Sequence, residues 1–315
     1  MDTTANALGQ AGGFEALPPG LSPDQITDDV LRAHGLPRRP PPGAHPALLR
    51  QWNRIMARPT RFIRADVEAD PVMTARHRPR TDFEPLGWGG VIRQAVPGTD
   101  YAYPATMVYA EWVVPEVLPV APDGPDITVG FWIGLDGYEG EGQQVLQAGV
   151  AATVSPGWFS TSVDYWAWTE WYTGEYQAPA VKVPNFSVAA GDTVSFLVTA
   201  EGPGSGTAYM HNSRTGLATS VWISAPADIV APGRTAEWAV EGVSRYLPLF
   251  TPVTFSNCWG ASLIEGASEY FTLAPGWVNQ EIDGVLPGGK VRVLTHTTVV
   301  TPTTAQVAEI SLDWF

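Results

Sequence analysis

Apolar and polar residues alternate with a period of two through most of the chain after residue 84, which predicts strands. The segments are Met107–Val114, Thr128–Asp136, Val145–Val154, Val163–Tyr172, Val194–Glu201, Thr207–Asn212, Ala218–Ser224, Thr235–Glu241, Pro252–Asn257, Val291–Val300 and Ala305–Phe315. Turn clusters part them, among them Ala190-Gly191-Asp192, Gly202-Pro203-Gly204-Ser205-Gly206 and Pro232-Gly233-Arg234. No strand-helix-strand alternation and no fixed repeat runs through this region. The expected fold is therefore all-β, an antiparallel two-sheet β-sandwich of jelly-roll, concanavalin-like kind.

The first 80 residues follow another period. Ser22-Pro23-Asp24-Gln25 reads as a capping box with Pro at the first helical position, followed by Ile26, Val30 and Leu31 and stopped by Gly35. Pro46 to Arg58 places Leu48, Trp52, Ile55 and Met56 on one helical face and Arg50, Arg54 and Arg58 off it. Both helices are short and amphipathic, so each needs a partner surface. The chain divides into a Pro/Arg-rich helical arm, 1–80, and a sandwich domain, 81–315, with the boundary near Arg76 to Glu84. The arm is either a prosegment or a permanent cap.

Charge sharpens this division. The arm holds 11 Arg, no Lys and 8 carboxylates, net +3, while the rest is −17 within a total of −14, and 12 of the 13 Trp lie beyond residue 81. An acidic body repels a phosphate backbone, which excludes nucleic acid as a partner. No stretch approaches the ~20 uninterrupted apolar residues of a spanning helix, so a membrane is excluded too. One cysteine, Cys258, forms no internal disulfide, leaving stability to a packed core. The first 25 residues show neither a basic n-region nor an apolar h-region of a secretory signal.

Nucleophile chemistry has little to draw on. The sandwich region holds only His211 and His296, no Gly-x-Ser-x-Gly elbow is present, and each His is expected at the surface. Cys258, beside Trp259, is expected as a small packed side chain. No His, Cys and carboxylate spacing suits a metal, and the Gly-rich runs at 137–142 and 202–206 lack the helix and Lys of a phosphate cradle. What remains are polar residues inside strands. Gln147 interrupts the apolar run 145–150; Glu170 shares a face with Trp166, Trp168 and Tyr172; Glu237 shares one with Glu241, opposite Trp238 and Val240. A mid-strand Glu or Gln ordinarily lies on the solvated face of a half-exposed sheet, so position alone leaves a structural reading open.

Several segments, in order, resemble the glutamic peptidases (eqolisins, peptidase family G1). They are Gly87-Trp88-Gly89-Gly90, Glu111-Trp112-Val113-Val114-Pro115, Phe131-Trp132-Ile133-Gly134-Leu135-Asp136-Gly137, Leu146-Gln147-Ala148-Gly149, Trp168-Thr169-Glu170-Trp171-Tyr172, Ala190-Gly191-Asp192, Ala236-Glu237-Trp238 and Phe255 to Cys258. The resemblance implies an acid-acting endopeptidase on a β-sandwich, without cofactor or metal, acting on protein or peptide substrates as a monomer in an extracytoplasmic setting. It puts the catalytic pair on Gln147 and Glu237, substrate-flanking groups on Trp132 and Asp136, and supporting roles on Glu170 and Trp168. The chemistry of such a pair is coherent. A Glu carboxylate takes a proton from water as it attacks the scissile carbonyl and returns it to the leaving amine; the Gln amide, which does not titrate, donates to the oxyanion at any pH. The lone cysteine departs from the disulfide-bearing fungal members, and the loop Tyr138 to Gln144 follows no family pattern.

Two other readings fit a Trp-rich sandwich. A glycoside hydrolase would use Glu170 and Glu237 as its two carboxylates but has no need of Gln147. A non-catalytic lectin-like binding domain would use the aromatic residues as core and contact surface.

Overall fold

The period-two segments form two antiparallel sheets packed face to face, in a computed structural model that describes residues 11–18, 26–59, 61–75, 85–94, 103–118, 125–138, 144–157, 160–173, 176–177, 180–225, 229–244, 246–264, 267–285 and 291–309. In the first sheet the order is β1 (Ala11–Gly13), β15 (Leu217–Ser224), β14 (Ser205–Asn212), β13 (Thr193–Gly202), β6 (Met107–Val113), β18 (Val253–Ile264), β24 (Thr304–Glu309) and β23 (Thr295–Thr301). Here β2 (Arg61–Phe62) also runs parallel to β15, and β19 (Ala267–Phe271) pairs β18. The second sheet runs β20 (Trp277–Gln280), β5 (Trp88–Gln94), β16 (Thr235–Gly242), β8 (Ile127–Leu135), β9 (Gln144–Ser155), β10 (Ser162–Thr173), β12 (Val181–Lys182) and β3 (Glu68–Ala69), with β11 (Tyr176–Gln177) beside β10. Two small sheets join β7 (Val117–Leu118) to β17 (Leu249–Phe250), and β4 (Pro85–Leu86) to β21 (Asp283–Val285) and β22 (Val291–Val293).

The predicted strands recur with small shifts at their ends and two larger differences. The segment 291–300 is split at Leu294 into β22 and β23. β18 runs past Asn257 to Ile264 through an irregularity between Ser256 and Trp259, where Asn257 takes a φ of 50°. Ser22–Gln25, the Arg76–Glu84 boundary and the end of the last predicted strand lie outside the described residues.

Alternation builds the core. Trp112 and Phe196 from the first sheet meet Phe131, Trp171 and Trp238 from the second, all fully buried. Each contributes about 1.5–3 kcal/mol by leaving water.

The arm is woven into both sheets. Its helices are α1 (Asp28–Ala33), α2 (Pro46–Met56) and α3 (Pro71–Ala75). Thr27 caps α1, its hydroxyl accepting from the Val30 N–H at 3.4 Å, and Pro46 opens α2 as its spacing predicts. Leu48, Trp52, Ile55 and Met56 of α2, with Ile26 and Leu31, pack on the outward side of the first sheet against Tyr109, Leu197, Tyr209 and Trp259. Beyond the expected helices, the arm supplies β1 and β3, the terminal strands at one edge of each sheet. No helix among the described residues is long and apolar enough to cross a membrane.

Candidate active site

Strand register brings three of the sequence-predicted polar residues into one line. Glu237 on β16 lies opposite Gly134 on β8, Gly134 opposite Gln147 on β9, and Gln147 opposite Glu170 on β10. Partners across a ladder share a face, here the outward face of the second sheet. Gly134 puts no side chain of its own between Glu237 and Gln147, and the Trp132 ring leans over it. A Cβ there would come within 3.0 Å of the Trp132 ring and 3.3 Å of the Gln147 Cβ. Glu237 and Gln147 thus stand two strand spacings apart, about 9–10 Å between Cα atoms.

The second row along the strands is Ala239, Trp132, Gly149 and Trp168. Gly149 separates the two indoles as Gly134 separates the polar pair. Trp88 on β5 sets its ring edge-on to Trp132 at 5.4 Å between centroids. The third row is Glu241, Gly130, Ala151 and Trp166. The face is therefore a groove walled by indoles and floored by glycine and alanine.

Gln147, Glu170 and Glu237 are all buried, at 2%, 2% and 0% exposure, so the solvated-face reading fails for each. Gln147 Nε2 donates to a Glu170 carboxylate oxygen at 3.1 Å, which orients the carboxamide and leaves its second N–H available. Neither Glu237 oxygen has a hydrogen bond of ordinary geometry. Burial raises the Glu237 pKa well above the usual carboxylate range, the Thr235 hydroxyl opposes the shift, and the nearby Asp136 charge adds to it.

Asp136, the last residue of the predicted strand Thr128–Asp136, lies just past the end of the observed one. β8 ends at Leu135, and Asp136 takes a φ of 64°. Its carboxylate accepts from the Gly233 and Arg234 N–H groups at 2.9 and 2.7 Å, and its own N–H donates to the Thr235 carbonyl at 3.0 Å. It clamps the turn that feeds β16 and so places Glu237. Burial raises its pKa to about 6 against the pull of those backbone donors.

Two groups on this face come from the arm and escape the sequence reading. Asp70 caps α3, one carboxylate oxygen accepting from the Val72 and Met73 N–H groups while the other accepts from the Trp166 indole at 2.5 Å. Met73, fully buried, packs with Trp132, Trp168, Ala151, Ala180 and Ala239. The signal was present in Asp70-Pro71, an N-cap residue followed by Pro at N1.

The remaining candidates lie elsewhere. His211 corrects its expected surface position: it is buried on the outward side of the first sheet, in the row Glu111, Ser195, His211, beneath α2. Arg54 of α2 and Arg58 just past its end pair with Glu111 at 3.1 and 2.6 Å. Burial, then Arg58, lowers the His211 pKa to about 4, with Glu111 opposing. His296 is exposed beside Glu281, and Cys258 is packed in the core as expected. Among the described residues no group of three or more His, Cys, Asp and Glu is placed to hold a metal.

A two-sheet sandwich with a buried carboxylate and a buried carboxamide set across one strand of an indole-walled groove defines a distinct class of β-sandwich site. The pattern of the Peptidase A4 family, the eqolisins, matches residues 87–305, and the chain belongs to that family. Aspergillopepsin-2 of Aspergillus niger is 32% identical over 136 residues, covering 42% of this chain and 45% of the relative, so the chain spans less than half the length of the curated relative it matches. Scytalido-glutamic peptidase with a transition state analog inhibitor is similar in structure, with a TM-score of 0.53 at 20% identity over 71% of this chain and 98% of that one. SCP-B, an eqolisin in complex with the tripeptide Ala-Ile-His, gives a TM-score of 0.50 at 21% identity over the same shares. At those identities the likeness is one of fold.

Proposed function

We propose that the protein is an acid-acting glutamic endopeptidase, with Glu237 as general base and then acid on water and Gln147 as the oxyanion donor. The reading rests on one observation above all, the line Glu237, Gly134, Gln147, Glu170 across four neighbouring strands. A scissile carbonyl laid over Gly134 would have the Gln147 N–H on one side and the carboxylate on the other. Glu170, by holding the carboxamide, is a positioning residue. Asp136 keeps Glu237 in register, and Trp132 and Trp168 bound the space for a peptide. No covalent intermediate is needed, and an extracytoplasmic setting goes with this reading.

Protonation supplies the condition. In the closed groove Glu237 is held neutral by burial, and water entering with a substrate restores part of its lost solvation. A carboxylate near its usual ~4.3 is partly ionised in acid, where it can take a proton and give it back.

The sugar-cleaving alternative finds less support. Glu237 and Glu170 are three strand spacings apart, about 14 Å between Cα atoms, with Gly134 and Gln147 on the strands between them. Glu170 also already accepts from Gln147.

The test is digestion of a denatured protein at pH about 4 and about 7 with Glu237→Gln and Gln147→Ala beside the wild type. Each variant is expected to lose at least about 100-fold in kcat/KM. Cleavage unchanged in both would refute the pair.

A further inference from the structure

We infer that the hollow over Gly130, between the Trp132 and Trp168 rings, is a substrate subsite for an unbranched apolar side chain, and that the full chain fills it with its own Met73. The inference deepens the peptidase reading and rests on it.

The floor is made of Gly130, Ala151, Ala180 and Ala239, the smallest side chains available, beneath two large rings. Such a floor is costly unless something fills the space, because an unfilled apolar hollow forfeits dispersion contacts. Met73 fills it with no exposed surface, and a Cβ built on Gly130 would come 3.2 Å from the Met73 Cε. Gly130 lies in the third row, two rows from the Glu237 and Gln147 line and about 13 Å along the strands. An extended peptide covers that span in about four residues, so the hollow would take a side chain some four positions from the scissile bond.

The occupant is held in a form unsuited to cleavage. Residues 71–75 form a helical turn, with the Asp70 carbonyl accepting from the Thr74 N–H at 3.0 Å and from the Thr74 hydroxyl at 2.7 Å. The Asp70 N–H donates to the Ala180 carbonyl at 2.7 Å, and the Ala180 N–H to the Thr74 hydroxyl at 3.0 Å. A peptide bound along a sheet is extended, with its carbonyls free to be polarised. Here the segment is a helical turn with the Asp70 carbonyl spent internally, so it occupies the subsite without lying extended along the sheet.

The experiment compares the intact full chain with its Met73→Asp variant, and Met73→Asp alone with Met73→Asp/Gly130→Val. Initial cleavage rates are measured on peptides with Met or Ala at the position that docks here. In parallel, indole fluorescence is titrated with a synthetic peptide of residues 68–75. The uncut Met73→Asp chain should cleave Met peptides at least about tenfold faster than the uncut wild type, since its subsite is open. Adding Gly130→Val should remove about tenfold of that rate on Met peptides and little on Ala peptides. The synthetic peptide should bind Met73→Asp and not the wild type.

Equal rates in wild type and Met73→Asp, with no peptide binding to either, would overturn the subsite. Peptide binding to Met73→Asp in chains that cleave nothing would uphold it while refuting the peptidase reading. If Met73→Asp loses its near-UV dichroism, Asp70→Ala serves instead. It breaks the Trp166 bond and the α3 cap, keeps Met73, and should give the same gain in smaller measure.

Discussion

The arm covers both outward faces of the sandwich, and it does so in two physically different ways. On the first sheet, Leu48, Trp52, Ile55 and Met56 of α2, joined by Ile26 and Leu31, seal an aromatic surface, and Glu111 ties down Arg54 and Arg58. The Asn257 and Gln51 amides also pair reciprocally, at 3.0 and 3.1 Å. On the second sheet the cover is the five-residue α3, with one buried methionine and one bond from Asp70 to Trp166. At about 1.5–3 kcal/mol per fully buried large side chain the first contact is worth of order 10 kcal/mol gross. The second contact buries one large apolar side chain, worth about 1.5–3 kcal/mol gross. The first cover therefore has several times the apolar burial of the second.

The largest expected effect would break this contrast if it failed. Trp52→Ala should lower unfolding stability by about 3–5 kcal/mol in urea melts, whereas Met73→Ala should cost under about 1 kcal/mol, because the weakly held segment can undock alone. Equal losses would mean that both covers are part of one cooperative unit. Next in size, Glu111→Gln leaves Arg54 and Arg58 facing a neutral partner and should cost about 1–3 kcal/mol. Hydrogen exchange should then rise in α2 and not in α3.

The faces also respond to acid with opposite sign. Asp136 near the groove has a folded pKa of about 6, raised from its ordinary 3.8. The native state therefore holds a proton that the unfolded state lacks between those values, and Asp136 stabilises as pH falls through 6 towards 3.8. His211, facing Arg58, Glu111, Ser195 and Tyr209, has a folded pKa of about 4, below its ordinary 6.5. Between 6.5 and 4 the unfolded state takes up a proton that the native state, with His211 still neutral, does not, so stability falls as pH falls through that window. The two slopes oppose each other over nearly the same window. Asp136→Asn should therefore make urea midpoints drop more steeply on acidification from pH 6.5 to 4, and His211→Gln should make them rise relative to wild type. No change of slope in either variant would sink the contrast. Smallest of all, Asp136→Asn at pH 7 should change stability by under about 1 kcal/mol, because relief of the buried charge offsets the weaker hold on the Gly233 and Arg234 N–H groups.

The sandwich was legible because apolar residues recur with period two on the inward faces, as Val194, Phe196 and Val198 or Ala236, Trp238 and Val240 do. β5 went unseen because Gly89 and Gly90 blur the alternation. The candidate pair was legible as residues, since a Gln in an apolar run and a Glu among tryptophans are anomalies, but their alignment depends on ladder register, which no local pattern encodes. His211 was misplaced for a related reason. Its strand turns outward, but α2, some 155–165 residues earlier in sequence, covers it. Asp70 and Met73 were missed because a five-residue helix has no periodicity to read.

The arm strands β1 and β3 have a further consequence, for behaviour in concentrated solution. A sheet edge carries a row of unpaired N–H and C=O groups that will accept any strand offered, including one from another molecule. Here one edge of each sheet is closed by residues 11–13 and 68–69, so both terminal strands belong to the same stretch of chain. Whatever frees that stretch leaves Leu217–Ser224 and Val181–Lys182 with open templates. The arm that covers the groove thus also closes one edge of each sheet to a strand from a neighbouring copy.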